Sequence, residues 1–255
     1  MTLSDAEIRK KIDSVPHWYH IIPIRPGIVT PGTNNAAVTL ALLDLPADCR
    51  GKRALDLGTR DGYFAFELER RGAEVLAVDY FSCEDTGFRV AAEALDSKVN
   101  FLQENIYNLT PQRVGTFDIV LFLGLLYHLP DPMQALNIVR SLCRDRMCLE
   151  TYVIDNGVPL PDGRTMPLQE LSPLLSQVPV MQFYPRDSLR DDPTNYWGPN
   201  LKCLEAMLRE CKFTVLSQTL FGDRAVVNCQ TTEDPELDYL NTIARGVIPK
   251  PQFAE

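Results

Sequence analysis

Arg53-Ala54-Leu55-Asp56-Leu57 runs into Gly58-Thr59-Arg60-Asp61-Gly62 and then into Tyr63-Phe64-Ala65-Phe66-Glu67-Leu68-Glu69-Arg70-Arg71, with Gly72 behind it. The first segment is short and mostly apolar and reads as a strand ending at a glycine. The third carries apolar residues at helical spacing and reads as a helix stopped by Gly72. A glycine at a strand end lets a ligand approach the backbone with no Cβ in the way. The start of the following helix offers free N–H groups and the positive end of a dipole. Strand, glycine turn and helix in this order hold adenosyl cofactors and dinucleotides alike, and such turns also occur for packing alone.

Working outward, Glu74–Asp79 reads as the second strand, and Asp79 stands at its end. A carboxylate there can accept both hydroxyls of a ribose, the role of the acid that follows a glycine loop by about 20 residues. A dinucleotide fingerprint is G-x-G-x-x-G, but counted from Gly58 its second glycine falls on Arg60 and its third on Tyr63. The second glycine lets a pyrophosphate come close, so Arg60 argues against NAD and for a cofactor without phosphate. S-adenosylmethionine keeps the ribose diol and puts a zwitterionic methionine beside the loop. Asp56 and Asp61 suit its ammonium.

Further along, the alternation continues. Gly87–Leu95 reads as a helix, 99–103 and Phe117–Leu123 as strands, Asp131-Pro132 as the cap of a helix running to about Arg144, and Met147–Tyr152 as a fifth strand. Apolar strands alternating with helices imply a parallel sheet covered on both faces, with ligands beyond the strands' carboxyl ends. Asn200–Cys211 reads as an amphipathic helix. Thr214–Phe221 and Arg224–Cys229 read as strands of a hairpin turned by Gly222-Asp223. Between them, Val153–Pro199 is proline-rich and aperiodic, too long for an idle loop, and is expected to cover the substrate. At the other end, Ser4-Asp5-Ala6-Glu7 is a capping box for a helix to about Val15. An aromatic, proline-rich arm follows from His17 to Gly32, and 34–43 reads as a further helix.

Composition narrows the partners. The 255 residues carry a formal charge of −9, a poor match for phosphate backbones, whose affinity comes largely from Lys and Arg. A small molecule is therefore expected as substrate rather than nucleic acid. Seven cysteines include no C-x-x-C pair and read as reduced, mostly buried thiols; no metal-ligand cluster is recognisable. The polar N-terminus is no secretory signal and no apolar run is long enough to span a bilayer, so a cytoplasmic location without membrane contact is expected.

At this point the sequence resembles a known family. The loop Leu55–Phe64, the segment Phe117-Asp118-Ile119-Val120-Leu121-Phe122-Leu123-Gly124-Leu125-Leu126-Tyr127-His128 with Asp131-Pro132, and Leu149-Glu150-Thr151 look like the class I methyltransferases of the tRNA wobble-uridine (carboxy)methyltransferase-like family. So do Trp18-Tyr19-His20 with Gly27–Gly32, and Asp192-Pro193-Thr194-Asn195-Tyr196-Trp197-Gly198-Pro199-Asn200. The resemblance covers residues 17 to about 229. It implies a Rossmann-like α/β fold with a mainly parallel seven-stranded sheet and helices on both faces, finished by an antiparallel hairpin.

Residue by residue, it implies that Asp56, Gly58, Thr59, Asp61 and Gly62 line the methionine and ribose end of S-adenosylmethionine. Asp79 would take the ribose, Tyr80 and Phe81 would lie near the adenine, and Asn105 and Ile106 would hold the adenine edge. Leu123 would flank the methionine part and Tyr127 the sulfonium substituent. Carboxymethyl-transferring members follow Tyr-His with an arginine that helps to bind the extra carboxylate. Leu129-Pro130 stand here instead, which favours plain S-adenosylmethionine.

Proton removal from an acceptor needs a base, and histidine titrates in the useful range. His128, after the fourth strand, is the first candidate and His20 the second. Tyr19, Tyr196, Trp197 and Asn200 are candidates for a substrate wall, while Glu150 reads as structural. The expected organisation is an N-terminal arm over residues 1–48, a cofactor-binding domain over 49–230 with 153–199 as its covering insertion, and a peripheral tail over 231–255. The expected activity is O- or N-methylation of a natural product or sugar. A tRNA-modifying enzyme and a non-catalytic nucleotide-binding module are the alternatives.

Overall fold

A computed structural model describes residues 3–233. Most of the tail expected over 231–255 lies outside the described residues. The centre is one seven-stranded sheet. Its strands are β1 (Arg53–Leu57), β2 (Glu74–Asp79), β3 (Asn100–Gln103), β4 (Phe117–Leu123), β5 (Cys143–Tyr152), β6 (Phe213–Phe221) and β7 (Arg224–Thr231). Their order across the sheet is β6-β7-β5-β4-β1-β2-β3. Pairings among β1 to β5 are parallel, and β7 runs antiparallel to both β5 and β6. The chain leaves β1 in one direction toward β2 and β3, and later fills the other side with β4 and β5. That reversal lies between β1 and β4, where open α/β sheets bind their ligands.

Among the described residues, six helices of five residues or more frame the sheet: α1 (Asp5–Asp13), α2 (Ala36–Leu40), α3 (Tyr63–Arg70), α4 (Phe88–Leu95), α5 (Pro132–Leu142) and α6 (Leu201–Glu210). Ser4 and Glu7 form the full reciprocal capping box before α1. Two cores result, one on each face. Leu55, Leu57, Phe117, Phe122, Leu136, Val139 and Leu208 pack on one side; Ala54, Phe64, Phe66, Phe88, Ile119 and Leu121 pack on the other.

The N-terminal arm belongs to the second core. Ile8, Ile12, Trp18, Ile22 and Ile28 are buried in it beside Phe64 and Phe88. Trp18 packs against the start of α4: a Cβ at Gly87 would stand 2.1 Å from its ring. The arm is thus packed onto the sheet's helical layer.

Two of the departures from the expected helix spans have a visible cause. The one read over 34–43 is only Ala36–Leu40, because Asn228 of β7 captures the chain just after it, accepting from Asp44 N–H and donating to the Leu42 carbonyl. The helix expected to reach Arg144 stops at Leu142, because Cys143 turns extended and begins β5 by pairing with Phe117. The insertion of 153–199 carries two small antiparallel pairs, Val158–Pro159 with Thr165–Met166 and Met181–Phe183 with Trp197–Pro199. No described helix is long and apolar enough to cross a membrane. The seven cysteines stand as thiols, and five are buried.

Candidate active site

The glycine loop is stitched to the end of β2. Gly58 and Thr59 N–H both donate to the Val78 carbonyl, at 2.8 and 3.2 Å. Gly58 takes φ +73°, and a Cβ there would meet Leu125 of the loop after β4 at 3.3 Å. The two strand ends on either side of the sheet's reversal therefore touch through this glycine. Arg60 also adopts a left-handed φ of +52°, a conformation that costs a side chain roughly 1–2 kcal/mol. Its N–H donates to Asp79 Oδ2 at 2.8 Å, which helps to hold it there.

Asp79 accepts a second backbone bond at Oδ1, from Phe81 N–H at 2.9 Å. Each oxygen keeps a further acceptor direction, which is what a ribose diol needs. Burial pushes its carboxyl above the usual range, against those backbone bonds. Next to it Tyr80 and Phe81 are exposed by 70% and 49%, unusual for large rings and suited to lie against an adenine. The Arg60 guanidinium sits over the Phe81 ring, 4.9 Å from its centroid. Leu123, at the end of β4, is buried.

Asp56 and Asp61 are not placed for the ammonium expected of them. Asp56 is 2% exposed, accepts from Thr59 Oγ1 at 2.7 Å, and is pushed up to about 7 by burial, so it braces the loop from beneath. Asp61 is fully buried, and three backbone groups occupy it. Tyr19 and His20 N–H donate to Oδ2 at 2.7 and 2.8 Å, and Gly87 N–H donates to Oδ1 at 2.9 Å. It clasps the arm and the start of α4 to the loop. Thr59, 2% exposed, serves Asp56 through its hydroxyl, and Gly62 is required by packing: at φ +93° a Cβ would fall 2.6 Å from the Phe66 ring. Of the two residues expected at the adenine edge, Asn105 spends its oxygen on Tyr107 N–H and caps a short turn. Ile106 buries its side chain in the core, which confines its part in any ligand contact to the backbone.

On the other side of Gly58, the loop after β4 meets the end of β5 and the start of β7. Arg224 donates through Nε and Nη2 to both oxygens of Glu150, and through Nη1 to the Tyr127 hydroxyl at 3.1 Å. Both oxygens of Glu150 are thus taken up by Arg224. Burial pushes the Tyr127 phenol up, with Arg224 pulling the other way. Sequence reasoning missed Arg224, because it lies 74 positions from Glu150 and only the β5–β7 register unites them.

The insertion docks on this loop. Tyr196 N–H donates to the Tyr127 carbonyl at 2.9 Å, and Trp197 Nε1–H to the Pro130 carbonyl at 3.2 Å. His128 Nδ1 stands 2.9 Å from Thr194 Oγ1. Tyr196 and Trp197 are half-buried beside the site, with the Trp197 ring 4.9 Å from Phe183. Tyr19 of the arm remains 38% exposed, and its hydroxyl accepts from Asn34.

Two further expectations fail on burial. Asn200 is fully buried as the cap of α6: its oxygen accepts from Cys203 and Val180 N–H, and its amide donates to the Val178 carbonyl. It has nothing left for a substrate. His20 is 5% exposed and wedged against Tyr63 and Phe64, and burial pushes its imidazole down to about 4. A general base must reach the proton it takes, and His20 is sealed between the arm and α3.

Residues 34–195 match the family model described as a methyltransferase domain. The chain belongs to this methyltransferase family. The glycine backbone at 58 and the remaining acceptor directions of Asp79 fit S-adenosylmethionine. Among curated relatives, the ubiquinone biosynthesis O-methyltransferase of Acinetobacter baylyi is 30% identical over 95 residues, 37% of this chain and 40% of the relative. The tRNA U34 carboxymethyltransferase of Dichelobacter nodosus is 34% identical over 138 residues, 51% of this chain and 41% of the relative. The methyltransferase thus spans only about two-fifths of the length of either. The fold matches the N-terminal domain of EvdMO1, solved with S-adenosylhomocysteine and D-fucose, at TM-score 0.62 and 19% identity, covering 91% of this chain and 98% of that one. It also matches 1,6-didemethyltoxoflavin-N1-methyltransferase of Burkholderia thailandensis at TM-score 0.51 and 18% identity, covering 72% of each chain.

Proposed function

We propose that this methyltransferase moves the methyl group of S-adenosylmethionine to a small-molecule acceptor. The observation that carries the proposal is the docking of the insertion onto the loop after β4, with the arm clasped to the neighbouring glycine loop. Tyr196 and Trp197 hold the insertion to that loop by main-chain and indole hydrogen bonds, and Tyr19 adds an exposed ring from the arm. Such a wall suits a ligand that the chain can cover, and it adds aromatic surface rather than a basic track. The net charge of −9 points the same way.

Asp79 would hold the ribose, with Tyr80 and Phe81 at the adenine. The backbone of the Gly58 loop, Leu123 and Tyr127 would flank the methionine end. The bound cofactor supplies an electrophilic methyl carbon on a sulfonium. The protein's task is to orient the acceptor in line with it, where positioning provides most of the acceleration. Soluble placement in the cytoplasm is part of the same reading.

The relative acting on tRNA supports a second reading, in which the acceptor is a nucleic acid. One experiment separates the two. The protein is incubated with methyl-labelled S-adenosylmethionine, a pool of phenols and sugars, and bulk tRNA. Label in a small molecule is expected. Label confined to tRNA would overturn the acceptor proposed here. Failure of S-adenosylhomocysteine to bind, by calorimetry, would overturn both.

A further inference from the structure

Three groups from two segments form a hydrogen-bonded chain beside the Tyr127 ring. Thr194 Oγ1 is 2.6 Å from Asp192 Oδ1 and 2.9 Å from His128 Nδ1. The Asp192 carboxyl is held below its ordinary range, first by that same hydroxyl, so it has no proton to give. The threonine hydroxyl therefore donates its single proton to Asp192 and can only accept from the imidazole. The Thr194 carbonyl, 3.2 Å from the same nitrogen, can likewise only accept. Both neighbours demand an N–H at Nδ1. A neutral ring with its proton there leaves the lone pair on Nε2, for which no protein partner stands among the described residues. Packing holds the ring too: its centroid is 4.1 Å from that of Tyr127. Burial pushes the imidazole down from its ordinary value, opposed by Thr194 and Asp192 of the insertion and assisted by Arg224 of β7.

We infer that His128 is the proton acceptor for a hydroxyl substrate, and that Thr194 and Asp192 are positioning residues that hold it in the one tautomer able to do this. The inference rests on the methyl-transfer reading above and names its acceptor class. A neutral amine already presents a lone pair, whereas an alcohol or phenol becomes a good nucleophile only as its proton leaves. Nε2 takes the acceptor's O–H proton as the O–CH3 bond forms. The S–CH3 bond breaks with its electron pair passing to sulfur, which leaves as a neutral thioether. The positive charge moves to the imidazolium, and water then takes the proton.

The test is long-range 1H–15N spectroscopy of the imidazole nitrogens in the full chain, free and with S-adenosylhomocysteine. The chain has only three histidines, and His128→Gln identifies the signal. A neutral ring at pH 7.5, protonated at Nδ1 and titrating below 6.5, is expected. Thr194→Val removes one of the two acceptors at Nδ1 and should weaken that preference, whereas Thr194→Ser should keep it, a pattern that a merely structural threonine would not produce. A wild-type ring protonated at Nε2, or charged at pH 7.5, overturns the inference. In a turnover arm with S-adenosylmethionine and matched panels of phenols, sugars and amines, His128→Gln should slow transfer to hydroxyls about 10²-fold or more without weakening S-adenosylhomocysteine binding. Transfer to amines alone overturns the hydroxyl assignment while leaving methyl transfer standing. Loss of S-adenosylhomocysteine binding by the wild type would instead sink the methyl-transfer reading itself.

Discussion

Replacing Asp61 by asparagine tests whether this carboxylate serves the ligand or the fold. It accepts three backbone N–H bonds of 2.7, 2.8 and 2.9 Å, from Tyr19, His20 and Gly87, and is fully buried. Hydrogen bonds to a charged group contribute about 1.5–3 kcal/mol each. The amide oxygen of asparagine can still serve Tyr19 and His20 together. Its NH2 then opposes Gly87 N–H, so one bond is lost and one buried donor is stranded. The combined cost is about 2–4 kcal/mol. Alanine strands all three donors and should cost more. In a domain of this size that loss lowers Tm by roughly 5–15 °C. Urea unfolding gives the free energy, and limited trypsin digestion after Lys11 reports arm release. Calorimetry with S-adenosylhomocysteine reads the ligand. If Asp61→Asn stays within about 1 kcal/mol of wild type while ligand affinity falls tenfold, the clasp is refuted and the carboxylate works on the cofactor after all.

Other substitutions separate the remaining roles. Asp79→Ala should weaken S-adenosylhomocysteine binding by about tenfold or more, for the loss of two charge-assisted bonds to a diol, and calorimetry measures it directly. Asp56 is held near 7 against an ordinary carboxyl near 3.8, so the folded state binds a proton that the unfolded state releases between those values. Stability conferred by that proton is present below about pH 4 and declines as pH rises toward 7. Asp56→Asn should therefore flatten the pH dependence of urea unfolding over that window, and an unchanged slope would contradict the burial argument. Arg224→Ala leaves Glu150 buried without its partner and should cost about 3–5 kcal/mol, seen as a lowered urea midpoint. Arg224→Lys should recover only part of this, because an ammonium cannot reproduce the two-pronged contact with the carboxylate.

Much of this molecule was legible in the chain because the governing interactions are local. The apolar runs of Arg53–Leu57 and Phe117–Leu123, the glycine at 58, the cap at Ser4 and the proline at 132 fix strands and helices through backbone geometry and side-chain entropy. The strand-end position of Asp79 followed from the same reading. What the chain could not display is which polar groups are already satisfied. Asp61, Asn200 and His20 have the chemistry of site residues, yet backbone donors and acceptors from other segments or aromatic rings of α3 surround them. Arg224 and Thr194 have no local signature, and each gains its role from a partner 74 or 66 positions away. Local sequence determined the elements and the place where a cofactor can approach. Tertiary structure decided which carboxylates and imidazoles remain free to act there, because a buried polar group goes to whichever partner the fold brings within hydrogen-bonding distance.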